Sequence, residues 1–96
     1  MELNFSTVPL PAQVADDLAA RLTRLRKFRG WTQAELAERS GVSLGSLKRF
    51  EQKGKISLEN LLALAHVLNR LGDFGEVFAV DENLEAAKRR FDRLAE

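Results

Sequence analysis

The stretch between Ser43 and Lys55 carries side chains that suit anions and hydrogen-bonding surfaces. Lys48 and Arg49 stand side by side there, among serines and a glutamine. A guanidinium group donates two parallel hydrogen bonds in a fixed fork, which matches phosphate oxygens and the O6 and N7 atoms of guanine. A lysine ammonium binds the same anions as a point charge. These residue types indicate binding chemistry rather than catalysis.

Positive charge is concentrated around this stretch. The 96 residues carry a net charge of only +1, but residues 21–55 contain ten basic and three acidic residues. That segment therefore carries +7, and the rest of the chain carries −6. Such asymmetry is expected where one face of a protein meets phosphates, although a solvated basic helical face would give the same count.

Local signals divide the chain into helices and place these side chains on them. The predicted boundaries are a start near Ala12, a stop at Gly30, a capping box of Thr32 with Glu35, a stop at Ser40-Gly41, a cap at Ser43, a stop at Gly54 and a cap at Ser57. A last amphipathic helix is predicted from an apolar stripe at Leu84, Ala87, Phe91 and Leu94. Further buried residues are expected at Phe28, which extends the stripe of the first helix, and at Phe74, Val77, Phe78 and Val80.

The spacing across the second and third helices indicates a helix-turn-helix. Ala37 must be small if the two helices cross closely, Gly41 takes the turn, and Val42 fills the corner. Leu47 and Phe50 anchor the third helix from behind. A short helix whose N-terminal half is free has the geometry that enters the major groove of DNA. The residues left outside on this helix are Ser43, Leu44, Gly45, Lys48, Arg49 and Gln52.

The segment Thr32-Gln-Ala-Glu-Leu-Ala-Glu-Arg-Ser-Gly-Val-Ser-Leu-Gly-Ser-Leu-Lys-Arg-Phe-Glu51 resembles the helix-turn-helix of the phage lambda repressor, Cro and XRE regulators. The resemblance covers about residues 17–72. It implies an all-α fold, a lambda-repressor-like bundle of about five helices, with an N-terminal arm and a C-terminal amphipathic helix added here. It also implies that the third helix enters the major groove and that two-fold dimers bind palindromic operators. A narrower resemblance, to HipB-type antitoxins, would add a HipA-like kinase toxin as a partner.

The candidate DNA contacts form two groups. Base reading is expected from Ser43, Leu44, Gly45, Lys48 and Arg49, and phosphate binding from Thr32, Gln33, Ser46, Gln52, Lys53 and Lys55.

Arg49 is the best candidate for contacting a base edge, with a phosphate or an intramolecular acid as the alternative partners. Lys48 could serve a phosphate as well as a base. Gln33 is expected to bind a phosphate, because of its position in the family motif and because helix N-termini attract anions. The alternative is that Gln33 is simply an exposed polar residue. Ser43 and Ser46 could be caps, phosphate ligands or both. The resemblance gives Glu51 a structural role, holding local backbone or an arginine.

Leu44 and Gly45 depart from the phage repressors, which often carry glutamines at these positions. Leu44 could touch a thymine methyl group or bury against a partner protein, and Gly45 permits close backbone approach but reads nothing. Sequence selection is therefore expected to depend more on Arg49, Lys48 and DNA shape.

The composition argues against several other classes. The absence of cysteine excludes a disulfide framework, a thiolate zinc site and a cysteine nucleophile, and it fits a reducing cytoplasm. We expect no secretion signal, and the longest apolar run, 61–68, is too short to span a bilayer. We find no nucleophile–base constellation, phosphate-cradling glycine loop or metal cluster, so we expect no enzyme, no metal and no cofactor. The expected location is the bacterial cytoplasm, on the nucleoid when the protein is bound to DNA.

Three parts are expected: an arm or short strand at 1–11, the DNA-binding domain at 12–80 and a C-terminal helix at 81–96 for dimer or partner contact. The stripe of that last helix could fold back on the bundle, pair with its copy or dock a toxin; the first two are favoured. The expected function is a sequence-specific, homodimeric repressor of its own operon, which could also be the antitoxin of a toxin–antitoxin pair. The alternative is a protein-binding antitoxin or adaptor that masks a partner, with DNA binding secondary.

Overall fold

A computed structural model describes residues 9–80 and 82–95. It contains α1 (Pro11–Phe28), α2 (Gln33–Ser40), α3 (Leu44–Lys53), α4 (Leu58–Val67) and α5 (Glu82–Ala95), with a short 3-10 helix at Leu71–Phe74. No strand occurs within these ranges, and the all-α fold class is confirmed. Most of the predicted N-terminal arm, residues 1–8, lies outside the described residues.

The predicted helix starts are confirmed by side-chain caps. In the capping box of α2, the Glu35 amide donates to the Thr32 hydroxyl at 3.1 Å, and the Thr32 amide donates to Glu35 Oε1 at 3.0 Å. Ser43 and Ser57 accept from the backbone at the starts of α3 and α4, each at 3.1 Å. Each bond satisfies an amide that has no partner within its own helix. Helix α1 begins at Pro11, one residue before the prediction, since proline at the first helical position has a suitable φ.

Three glycines that follow helices, Gly30, Gly41 and Gly54, lie in the left-handed region, where other residues are strained. Gly41, after α2, has φ +77°, and Gly54, after α3, has φ +69°. Gly54 is also packed closely against α1, because a Cβ there would lie 2.8 Å from Asp16 Oδ1 and 3.2 Å from the Ala15 carbonyl carbon. The end of α3 is therefore fixed by both conformation and contact.

The core lies between α1, α2, α3 and α4. Helix α1 packs against α3, and α2 packs against both α3 and α4. The largest fully buried side chains are Leu36, Leu47, Phe50, Leu64 and Leu68. They come from α2, α3 and α4 or its C-cap, so the helix-turn-helix pair contributes a large part of the core that holds it.

Several residues predicted to be buried are exposed, and those predictions were wrong. Phe28 is 86% exposed and Phe78 is 97% exposed, while Val77 and Val80 are more than half exposed; Phe74 is half-buried. Phe28 follows buried Arg26 by two positions, which places it about 200° around α1 from the inner face. Val77, Phe78 and Val80 lie in the connection after the 3-10 helix, and the core beside α4 is already filled by Leu64 and Leu68.

The predicted last helix is present as α5, but its apolar stripe does not fold back into the core. Phe91 is 71% exposed and Leu94 is 85% exposed. None of the helices in the described ranges combines the length and apolarity needed to cross a bilayer.

Candidate nucleic-acid interface

The turn between α2 and α3 consists of Gly41, Val42 and Ser43. Gly41 donates its amide to the Ala37 carbonyl at 2.9 Å, which closes α2. The Val42 amide donates to the Ser40 hydroxyl at 3.1 Å, and its side chain is buried. Since Ser43 then caps α3, every residue of the turn has a structural partner, and the direction of α3 relative to α2 is determined locally.

The outer face of α3 is open to solvent. Lys48, Arg49 and Gln52 are exposed, and Leu44 is 38% exposed, whereas Leu47 and Phe50 on the opposite face are buried. Within the described ranges no ion pair to Lys48 or Arg49 is found, so the alternative in which Arg49 binds an intramolecular acid is not observed. Both cations are therefore available to a ligand.

The two serines at the start of α3 are connected to each other. The Ser43 hydroxyl accepts from the Ser46 amide and donates to Ser46 Oγ at 2.8 Å. Ser43 is thus used as a cap, and the hydrogen of its hydroxyl is directed at its neighbour. The Ser46 hydroxyl accepts this bond and keeps its own hydrogen for an acceptor outside the helix.

A buried ion pair beneath this surface connects α1 to α3. Arg26 Nε and Nη2 donate to the two carboxylate oxygens of Glu51 at 2.8 Å and 3.0 Å. The third donor, Nη1, binds the Trp31 carbonyl at 2.7 Å. The side chains of Arg26 and Glu51 are only 9% and 5% exposed. The role expected for Glu51, holding an arginine, is confirmed.

Burial alone would raise the pKa of Glu51, but hydrogen bonds from Arg26 and Gln33 and the positive charge of Arg26 outweigh it. The net effect is a pKa below the ordinary carboxyl value. Glu51 is therefore held as a carboxylate. The sequence analysis did not identify Arg26 as a positioning residue, because Arg26 was counted among the cations of the basic segment. The signal that could have found it is its position on the inner face of α1, at helical spacing from Ala19 and Leu22.

Gln33 is joined to the same network. Its Nε2 donates to Glu51 Oε1 at 2.9 Å, and the residue is half-buried at the first position of α2. The amide side chain is therefore oriented from α3, not merely exposed. Neighbouring Thr32 uses its oxygen to cap α2 and keeps its hydroxyl hydrogen for an external acceptor. The phosphate roles of Gln33 and Thr32 stay predictions.

A shallow cavity of about 280 Å³ lies beside α3, between this helix and the start of α4. Its lining includes Arg49 and Lys55, and on the other side the cap residue Ser57 and Asn60. Ser46 and Ile56 complete it. Two cations beside a helix N-terminus make an environment that favours an anion. Sequence reasoning had Ser57 only as a cap and did not single out Asn60.

Trp31 covers the corner between α1 and α2. Its half-buried ring packs against the core, with the Arg39 guanidinium carbon 4.4 Å and that of Arg29 5.5 Å from the ring centroid. Arg29 also donates to the Leu68 carbonyl at 2.8 Å. Of the cations in the basic segment, Arg26, Arg29 and Arg39 therefore have structural contacts. Lys48, Arg49, Lys53 and Lys55 remain exposed on α3 and just after it. No cluster of possible metal ligands occurs among the described residues.

Comparison with known proteins agrees with this geometry. A family profile described as helix-turn-helix matches residues 22–73. The chain is 37% identical over 71 residues to the cryptic phage CTXphi transcriptional repressor RstR of Vibrio cholerae, a match that covers 72% of this chain and 63% of the relative. The chain thus spans less than two thirds of that relative's length. Both comparisons agree with the helix-turn-helix formed by α2 and α3. This chain belongs to the XRE-type helix-turn-helix family.

Proposed function

We propose that this chain is a homodimeric transcriptional repressor that binds a palindromic operator through α3. The observation that carries the proposal is the two-sided character of α3. Leu47 and Phe50 are almost completely buried on one face, while Lys48 and Arg49 are exposed on the other and form no ion pair with any described residue. A helix anchored in this way can enter a major groove without rearrangement.

Within this proposal, the exposed end of α3 contacts base edges. Arg49 reads guanine through its fork, and Lys48 contacts a base or an adjacent phosphate. Leu44 has enough exposed surface to contact a thymine methyl group. Ser43 and Gly45 complete the set proposed for base reading, with Gly45 allowing the backbone to approach.

Phosphate contacts are proposed on both sides of α3. Thr32 and Gln33 lie at the start of α2, where backbone amides and the helix dipole favour an anion. The other proposed phosphate ligands are Ser46, Gln52, Lys53 and Lys55. The cavity between α3 and α4 supports a backbone phosphate near Lys55, and it adds Ser57 and Asn60 to the candidates. Arg49 borders both this cavity and the exposed face, so a phosphate contact is its competing role.

The proposed repressor acts on its own operon as a two-fold dimer. Two copies of α3 would then contact half-sites roughly 10 bp apart, or a multiple of one helical turn. A small domain of this length gains stability from a second subunit. A footprint with a single asymmetric site would contradict the dimer.

The test is a titration of full-length protein variants against operator DNA and unrelated DNA at several salt concentrations. Arg49→Ala should weaken operator binding by about 1–3 kcal/mol and affect unrelated DNA much less. Lys55→Ala should weaken both about equally and reduce the salt slope by about one. For the native chain we expect a slope of log K against log salt near −5 to −7, for about six to eight phosphates.

Arg70→Ala is the matched control, because Arg70 is an exposed arginine in an ion pair with Asp73, away from α3. It should leave operator affinity unchanged. A flat salt response of the native chain, or an Arg49→Ala variant that binds the operator as the control does, would contradict the proposed interface.

A second candidate function is a protein-binding antitoxin or adaptor, favoured by the exposed apolar stripe of α5. In that case a neighbouring reading frame should encode a toxin, and a kinase-like one would identify the HipA-like partner. Alanine at Gln33, Lys48 and Arg49 should abolish operator binding and leave the toxin complex intact. Loss of both activities together would place them on one face.

A further inference from the structure

We infer that α5 is the dimerisation element of this protein, and that two copies of α5 pair in antiparallel orientation. The inference rests on the homodimer of the proposed function and specifies its interface. It concerns a helix that lies beyond the segment matched by the family profile, which ends at residue 73.

The first argument is the spacing of apolar residues. Within α5, Leu84, Ala87, Phe91 and Leu94 follow one another at intervals of three, four and three. This is the narrow heptad seam by which one helix packs against another, whereas a helix packed on a globular core presents a broader apolar face.

The second argument is exposure. Phe91 is 71% exposed and Leu94 is 85% exposed, although they are the largest apolar groups in the second half of α5. Val77 and Val80, in the non-helical connection before α5, are 54% and 58% exposed. Exposed apolar side chains therefore occur on α5 and in the connection before it, and a group of exposed apolar side chains is typical of an interaction site.

The third argument identifies a second copy as that cover. The charges of α5 are divided along its length, with Glu82 and Glu85 in the first turns and, after them, four basic residues, Lys88, Arg89, Arg90 and Arg93, against one acidic residue, Asp92. An antiparallel pair places the acidic end of each helix beside the basic end of the other. A parallel pair would place like charges together.

The antiparallel arrangement also opposes the two helix dipoles, and it follows naturally from a two-fold axis perpendicular to α5. Lys88 already pairs with Asp92 of its own helix at 2.8 Å. Arg89, Arg90 and Arg93 are exposed, and their positive charge lies at the end of α5 that would meet the acidic turns of the other copy.

The first experiment measures self-association of the full chain by sedimentation over a range of concentrations. Phe91→Glu should weaken dimerisation at least about 30-fold, as expected for a central aromatic anchor. Phe91→Leu should retain the dimer. Phe78→Glu is the matched control, because Phe78 is 97% exposed but lies before α5. Ala87→Arg, which adds bulk and charge to the seam without removing an aromatic ring, should also dissociate the dimer.

The second experiment determines orientation by disulfide cross-linking, which is clean because the chain has no cysteine. A mixture of Leu84→Cys and Leu94→Cys proteins should form the mixed disulfide in preference to either symmetric one. Preferential cross-linking of Leu94→Cys with itself would overturn the antiparallel orientation.

The outcomes separate this inference from the DNA-binding proposal. A native chain that is monomeric at every concentration would overturn the inference, and so would a Phe91→Glu or Ala87→Arg variant that stays dimeric. If Phe91→Glu is monomeric and still binds a single half-site through α3, both proposals are supported. A dimer that depends on Phe91 but binds no DNA would support the role of α5 and contradict the DNA-binding proposal alone.

Discussion

Replacing Glu51 by glutamine removes the charge from the ion pair that connects α1 to α3. In the native chain, one carboxylate oxygen accepts from Arg26 Nε at 2.8 Å and the other accepts from Arg26 Nη2 at 3.0 Å and from Gln33 Nε2 at 2.9 Å. Glutamine has nearly the same shape, but one of its two terminal groups is an NH₂ donor. Whichever way it turns, a donor faces a donor of Arg26, and the buried guanidinium loses its counter-ion.

The size of the effect follows from burial. Both side chains are at most 9% exposed, so water cannot replace the lost partner. Removing one member of such a pair destabilises a protein by about 3–5 kcal/mol. Since glutamine keeps one acceptor, we expect the lower end, about 3 kcal/mol, out of a total stability of about 5–15 kcal/mol. For a domain of this size that corresponds to a fall in Tm of roughly 12–24 °C.

The assay is urea and thermal unfolding of the native chain and the variant, followed by circular dichroism. Glu38→Gln is the matched control, because Glu38 is exposed on α2, and its effect should stay within about 0.5 kcal/mol. The double variant Arg26→Met/Glu51→Gln should be less destabilised than the sum of its two single variants. A Glu51→Gln protein as stable as the control would contradict this expectation, because it would mean that the buried pair contributes no more than a surface contact.

The pKa of Glu51 is lower in the folded state than the ordinary carboxyl value of 4.5, so the ionised carboxylate stabilises the fold fully above that value. This stabilisation should be lost as the pH falls through the folded pKa. In urea titrations at different pH, the free energy of unfolding of Glu51→Gln should not show this decrease. Gly41→Ala should lower the free energy of unfolding by about 1–2 kcal/mol, because the φ of Gly41 is +77°. Gly45→Ala should leave it unchanged or raise it by up to about 1 kcal/mol in the same titrations, because Gly45 lies in a helix and a Cβ there would meet no other atom. Phe50→Ala should reduce the free energy of unfolding by about 3–5 kcal/mol, and Phe78→Ala should change it by less than about 0.5 kcal/mol; equal effects would contradict the burial of the two rings.

The exposed residues of α3 were largely predictable, because the buried residues on its opposite face determine which side chains point outward. Leu47 and Phe50 fix the inner face of α3, and the helical period then places Lys48 and Arg49 outside. The cavity beside Arg49 was not predictable in the same way, since it requires the start of α4 to lie next to α3. Ser57 could be identified as a cap from its neighbours, but its position beside Lys55 and Arg49 depends on how the helices pack.

The helix boundaries and the turn could be predicted from the sequence, because caps such as Thr32–Glu35 and the left-handed Gly41 depend on hydrogen bonds and dihedral angles within a few residues. The role of Arg26 could not, because its partner Glu51 lies 25 residues further on and is brought to it by the packing of α1 on α3. The exposure of Phe28 and Phe78 also depends on this packing, since a side chain is buried only where another helix covers it, however hydrophobic it is. Caps and turns are determined by hydrogen bonds between residues close in sequence, whereas burial depends on contacts between segments that are distant in sequence.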